Sequence, residues 1–169
     1  MGRSTKLQAS ENRERIIQVA SSMYRAQGIG MTGISDVMKA AGMTQGGFYR
    51  HFASKDDLVV EACNYAFGQA LMNWSQVAND ASSKALDPLS AIVRYYLSDK
   101  PPNLTCPMIA FGQEVARRNQ SDPLRLAFTV GAHRLLEVLR TASPSSSSSE
   151  VERTLHEMVG AKMLALATS

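Results

Sequence analysis

Residues Thr32 to Lys55 read TGISDVMKAAGMTQGGFYRHFASK. Val37, Met38 and Ala41 recur at helical spacing, so a short helix is read from Ser35 to Ala41 with one inward face. Gly42 follows it, the residue type that accepts the positive φ of a helix end. Thr44 is a favourable N-cap, and a second short helix is read from there to His51. Phe48 and Phe52, four apart, share one side of it, which leaves a polar side outward. A short helix, a glycine turn and another short helix make a helix-turn-helix, here about residues 33–52. The second helix of such a unit enters the major groove, and its first residues meet base edges.

Those first residues are Thr44, Gln45, Gly46 and Gly47. A Gln amide can pair with adenine through two hydrogen bonds. Two glycines weaken a helix by roughly 1 kcal/mol each relative to alanine, but they let its backbone approach a surface closely. Tyr49, Arg50, His51 and Lys55 bring hydrogen-bond donors suited to phosphate oxygens, contacts that set register rather than sequence.

Outward from this segment, every periodic stretch is helical, and none alternates with period two as a strand does. Ile16, Ile17, Ala20, Met23 and Tyr24 mark a first helix over about residues 11–27 that stops at Gln27-Gly28. Ser54 caps a fourth helix whose first turn carries Asp56 and Asp57, acids that suit the helix dipole. Its apolar stripe runs from Val59 to Trp74, and a polar break is expected over residues 79–83. Asp87-Pro88 opens a fifth helix, and Lys100-Pro101-Pro102 stops it. A sixth follows Cys106-Pro107, a seventh Asp122-Pro123, and an eighth covers about 150–168. Ser-Pro and the five serines after it, residues 143–149, have the composition of a flexible loop. The expected architecture is all-α, with an N-terminal arm and DNA-binding unit over 1–53 and a helical body over 54–169.

Charge agrees with that division. The first 60 residues hold eight Lys/Arg against five Asp/Glu, and the remainder holds ten of each. A basic end on a neutral body suits a polyanion there. No run is long and apolar enough for a transmembrane span, and the first residues lack a signal-peptide core. Two cysteines make no disulfide framework, so a reducing cytoplasm is expected. No His/Cys/Asp/Glu set has metal-ligand spacing, and no histidine is placed to activate a nucleophile. Neither a metal, a cofactor nor an enzyme is expected.

The segment GMTQGGFYRHFASKDDL resembles the DNA-binding signature of the TetR/AcrR transcriptional regulators, with the likeness running from about Arg13 to Ala62. The resemblance implies a homodimer that binds double-stranded operator DNA, most often as a repressor, and answers to a small-molecule effector. It places Thr32, Thr44, Tyr49, His51 and Lys55 at phosphate-contacting positions and Gln45, Gly46 and Gly47 at base-reading positions. Phe48 and Phe52 fall at core positions. Gly33 stands where the family often has Thr or Ser. The eighth helix is the last one counted, whereas the family pairs its protomers through a ninth as well. A small-molecule-binding protein with impaired dimerisation and weak DNA binding is therefore the alternative expectation.

The chain's nine methionines, four of them in the body, have with the body's aromatic residues the make-up of an adaptable apolar cavity, though such residues more often form an ordinary core. Met72, Trp74, Tyr96, Cys106, Met108, Phe111 and Phe128 are the candidate lining. Cys106 stands at a helix N-terminus, where a thiol becomes more acidic. A redox- or electrophile-sensing repressor is the reading it would support, against the plainer one of a small buried residue. Cys63, on the apolar stripe, is read as core.

Overall fold

The computed structural model describes residues 2–168, with side chains from Lys6 onward; Arg3 of the basic first third falls outside that set. The described residues form helices and turns. Helix α1 is Gly2–Gln27, α2 Ile34–Ala40, α3 Lys55–Ser83 and α4 Pro88–Leu97. Helix α5 is Pro107–Ala116, α6 Pro123–Ala142 and α7 Ser148–Thr168. Two 3-10 segments join them, Gln45–Arg50 and Pro102–Leu104. All eight expected elements are present, but the third is 3-10 and not α-helical. The second and third of its six residues are Gly46 and Gly47, which contribute no side chain to stabilise an α-turn.

Two other expectations are corrected. α3 runs through residues 79–83, because Ala81 is buried there and Gln76 donates to Asp80 one turn on. The helix closes at Ala85, whose φ of 54° makes the turn. The serines at 143–149 form a capped turn and not an open linker. Ser147 accepts from the Glu150 amide at 3.3 Å, and Glu150 accepts from the Ser147 amide at 2.8 Å. That reciprocal pair is a capping box, and its Ser-x-x-Glu spacing stood in the sequence.

The chain resolves into two compact units. One comprises the chain through Ala66 together with Pro101–Phe128. Its buried residues include Ile16, Ala20, Tyr24, Val37, Met38, Phe48, Leu58, Val59, Phe111 and Leu124. Helix α1 packs on α2, on α5 and on the Pro102–Leu104 turn. The segment 101–128, distant in sequence, thus shares a body with the helix-turn-helix. The boundary at residue 53 did not foresee this grouping.

The other unit comprises Phe67–Lys100 and the chain from Thr129 onward. Phe67, Trp74, Ile92, Tyr96, Leu135, Leu139, Val151, Leu155 and Met158 are buried in it. Trp74 and Tyr96 meet edge to face at 5.7 Å, α4 packs on α7, and Lys162 reaches the Ser98 carbonyl at 3.0 Å. Gly131 of α6 lies under the Phe67 ring. A Cβ there would stand 2.3 Å from the ring's Cγ, so any larger residue forces something to shift.

Candidate nucleic-acid interface

Helix α2 is aimed by its two ends. At its start Gly33 has no side chain to cap with, and Asp36 reaches back to accept from the Gly33 amide at 3.0 Å. At its end Gly42 takes φ +74°. The Met43 amide then reaches Met38 O at 2.8 Å and the Gly42 amide Lys39 O at 3.0 Å. Those two bonds are a Schellman close, and they turn the chain into the second element of the motif.

That element, Gln45–Arg50, is pinned by aromatic residues. Phe48 is fully buried, stacks on Phe52 at 5.5 Å and takes the edge of Tyr49 at 5.2 Å. With Phe48 inward, Thr44, Gln45, Gly46, Tyr49 and Arg50 lie exposed, while Gly47 and His51 are half-buried. Tyr49 is 70% exposed, which is unusual for a tyrosine held by a core ring and leaves its hydroxyl outward. Thr44 occupies the N-cap, yet its side chain makes no capping bond.

The two glycines have no internal justification. Neither has a positive φ. A Cβ on Gly46 would meet nothing within 4 Å, and one on Gly47 only ordinary contacts, Met38 Cε at 3.7 Å being the nearer. The fold would accept alanine at both.

Thr32 and Lys55 are placed otherwise than the sequence reading had them. Thr32 is buried and its hydroxyl donates to Gly28 O at 2.9 Å, so it closes the turn after α1 and does not face outward. Lys55 is half-buried and gives one of its three N–H donors to Ile29 O at 2.9 Å. Thr32 therefore closes the 28–32 loop on itself, and Lys55 fastens that loop to the start of α3. Ser54 caps α3 as expected, accepting from Asp57 N at 3.0 Å.

Sequence reasoning missed three cations. The Arg13 guanidinium lies 4.9 Å from the centre of the Phe52 ring and pairs with Glu61 at 2.9 Å. Arg25 Nε donates to Thr105 O at 2.6 Å. Arg118 pairs with Asp56, Glu114 and Asp122. The Glu114 and Asp122 partners were visible at i−4 and i+4; Asp56 and Thr105 carried no local signal.

The seven candidate pocket residues divide between the two units. Met72 is exposed at 62%. Trp74 and Tyr96 are buried in the second unit, Phe111 is buried in the first, and Cys106, Met108 and Phe128 are half-buried there. A cavity of about 340 Å³ in the second unit is lined by Leu71, Ser75, Ala78 and Asn79 of α3 and Arg134, Glu137, Val138 and Thr141 of α6. None of the seven belongs to it. Cys106 precedes α5 at the N-cap, without a side-chain capping bond. Cys63 is buried, and desolvation pushes its thiol up to about 12. Among the described residues no group of three His, Cys, Asp or Glu could hold a metal ion, and no helix is long and apolar enough to cross a membrane.

Residues 16–62 match the family of bacterial regulatory proteins called the tetR family. Over 61 residues the chain is 43% identical to the transcriptional regulator AcrR of Shigella flexneri, covering 36% of this chain and 28% of that one. Over 83 residues it is 28% identical to the transcriptional repressor KstR2 of Mycolicibacterium smegmatis, covering 49% and 40%. The solved structure of a TetR transcriptional regulator from Chloroflexus aurantiacus superposes with a TM-score of 0.73 at 26% identity, over 95% of this chain and 86% of that one. Residues 16–62 are thus a tetR-family segment. The aligned stretches span less than half of the length of these two curated relatives. The matched residues 16–62 contain the whole helix-turn-helix, its glycine turn and the Tyr49–Lys55 run.

Proposed function

We propose that the chain is a DNA-binding transcriptional regulator, a homodimeric repressor that releases its operator on binding a small molecule. The observation that carries the DNA-binding part is the pair Gly46 and Gly47. They open the recognition segment, they are not required by the packing, and a close-approaching backbone explains them. Gln45, exposed beside them, reads a base; Thr44, Tyr49, Arg50 and His51 hold phosphates. Lys55 contributes its remaining donors from the start of α3, and Thr32 sets the loop from inside. The reading head occupies residues 1–53, and the body over 54–169 dimerises and binds the effector. Two heads reach successive major-groove turns about 34–36 Å apart, so an effector that changes their spacing prevents simultaneous docking.

Selection of duplexes from a random pool, followed by binding at two salt concentrations, tests this reading. A selected near-palindrome bound by two copies supports it, and no enrichment together with salt-insensitive binding removes it. On the selected duplex, Gln45→Ala is expected to relax preference at one base pair per half-site, at about 1–3 kcal/mol. Tyr49→Phe should weaken all sequences alike. An equal loss on every sequence from Gln45→Ala would mean that Gln45 reads no base.

Gly46→Ala separates fold from function. The substitution should stabilise the free protein by about 0.4–1 kcal/mol by restricting the unfolded chain, because its Cβ meets open space. It should at the same time weaken duplex binding at least tenfold. A variant that melts higher and binds DNA as tightly as the parent would show that the glycine serves no close approach.

A further inference from the structure

The segment 101–128 shares a compact unit with the reading head, and charged groups fasten it at both ends of α5. Just before α5, the Thr105 carbonyl accepts from Arg25 Nε, in the last turn of α1, at 2.6 Å. Just after α5, Arg118 forks onto Asp56, with Nη2 to Oδ1 at 3.2 Å and Nη1 to Oδ2 at 3.3 Å. Two planar N–H groups on one carboxylate fix orientation as well as distance. Arg118 is itself held in place. Glu114 accepts from its Nε and Nη2 at 3.0 and 2.8 Å, Asp122 accepts from Nη1 at 3.3 Å, and its carbonyl accepts from Arg125 Nη1 at 2.9 Å. Between these ends, Phe111 and Val115 of α5 are buried.

Asp56 is not a neutral place to be tied. It sits in the first turn of α3, next to Lys55, whose ammonium holds the Ile29 carbonyl, and shortly after Phe52, which stacks on Phe48. Turning this first turn of α3 therefore turns the recognition segment with it. Tyr24 of α1, buried nearby, senses the same carboxylate. Burial, and secondarily the Asp56 charge, push its hydroxyl up to about 12.

We infer that Arg118 is a positioning residue for DNA binding, holding the first turn of α3 against α5 so that the recognition segment keeps its presented angle. The inference rests on the DNA-binding reading above. Exposed ion pairs add little to stability, and two-thirds of the Asp56 side chain is exposed. The effect should therefore appear in geometry-dependent binding, while the melting temperature moves by only a degree or two.

Three full-length variants test it on the selected duplex, with fluorescence anisotropy at several salt concentrations. Arg118→Met and Asp56→Asn are each expected to weaken binding three- to fivefold with the salt slope unchanged. Glu152→Gln, which removes the Arg140 pair in the other unit and leaves Arg118 and its partners untouched, should match the parent. The sign of Asp56→Asn is decisive. Removing a negative charge near DNA would by itself tighten binding, so tighter binding by Asp56→Asn overturns the inference. A salt slope reduced by about one in Arg118→Met also overturns it, because that marks a direct phosphate contact. Hydrogen exchange without DNA keeps the inference testable if the chain selects no duplex. Amides 45–58 should exchange three- to fivefold faster in Arg118→Met and Asp56→Asn, with α7 unaffected. Unchanged exchange there would refute the positioning role whatever the fate of the DNA-binding reading.

Discussion

Phe48→Ala is expected to destabilise the first compact unit by about 3–5 kcal/mol, the range for removing a buried phenyl ring, and to abolish DNA binding. Phe48 is fully buried and is the ring against which both Phe52 and Tyr49 are set. Its loss opens a cavity under a six-residue 3-10 segment that has two glycines and few internal bonds to fall back on. A domain commonly has only about 5–15 kcal/mol in hand, so much of that margin would go at once. The consequence should reach beyond the motif. The segment 101–128 belongs to the same unit, so α5 amides should lose exchange protection together with those of α2. Thermal unfolding with hydrogen exchange checks both parts. A variant that melts normally, or that loosens only residues 44–52, would show that the motif is a separate small domain and that Phe48 is not its keystone.

What the sequence made legible was local. Asp87-Pro88 announces a helix start, and Asp87 indeed accepts from Ser90 N at 2.8 Å. Gly42 announces a left-handed turn, and the φ of +74° is there. Phe48 and Phe52, four apart, are both buried. Such signals work because caps, turns and same-face pairs are settled within one or two helical turns. The failures have other causes. Thr32 looked like an outward donor although Gly28 O is only four residues back, because that bond forms in a turn and not in a helix or cap that the sequence marks. Lys55 looked like a plain cation because its partner, Ile29 O, is 26 positions away.

The same limit applies to the grouping of 101–128 with the reading head and to the fork from Arg118 to Asp56, 62 positions apart. No spacing rule encodes a pair at that distance. Gly46 and Gly47 are the converse case. The sequence showed a helix-weakening choice, and only the open space around each Cβ shows that packing does not require it. A rule broken without an internal reason is where function is best sought.

Gly131 breaks the same rule for an internal reason, and alanine there should give the opposite result from alanine at Gly46. In an α-helix interior Gly→Ala ordinarily gains about 1 kcal/mol. At Gly131 the added Cβ would stand 2.3, 2.5 and 2.7 Å from Cγ and the two Cδ atoms of Phe67. These atoms are the root of the ring and not its far edge, and Phe67 is only 4% exposed. Rotation about χ2 leaves Cγ where it is, so relief requires a change of χ1, which would drive the ring into packed surroundings. Overpacking of this kind costs about 1–3 kcal/mol, occasionally more, and a contact this short belongs at the upper end. The net expectation for Gly131→Ala is a loss of about 1–2 kcal/mol, or roughly 3–8 °C in melting temperature for a chain of this size. Valine should cost more. Phe67→Ala, itself expected to cost about 3–5 kcal/mol, supplies the control. With the ring gone, the new methyl enters vacated space and the helix-propensity gain is recovered. In that background Gly131→Ala should be neutral or stabilising, and the reversal of sign identifies the contact by a double-mutant cycle. An equal loss in both backgrounds would place the cost elsewhere in α6 and leave the Phe67–Gly131 contact without energetic weight.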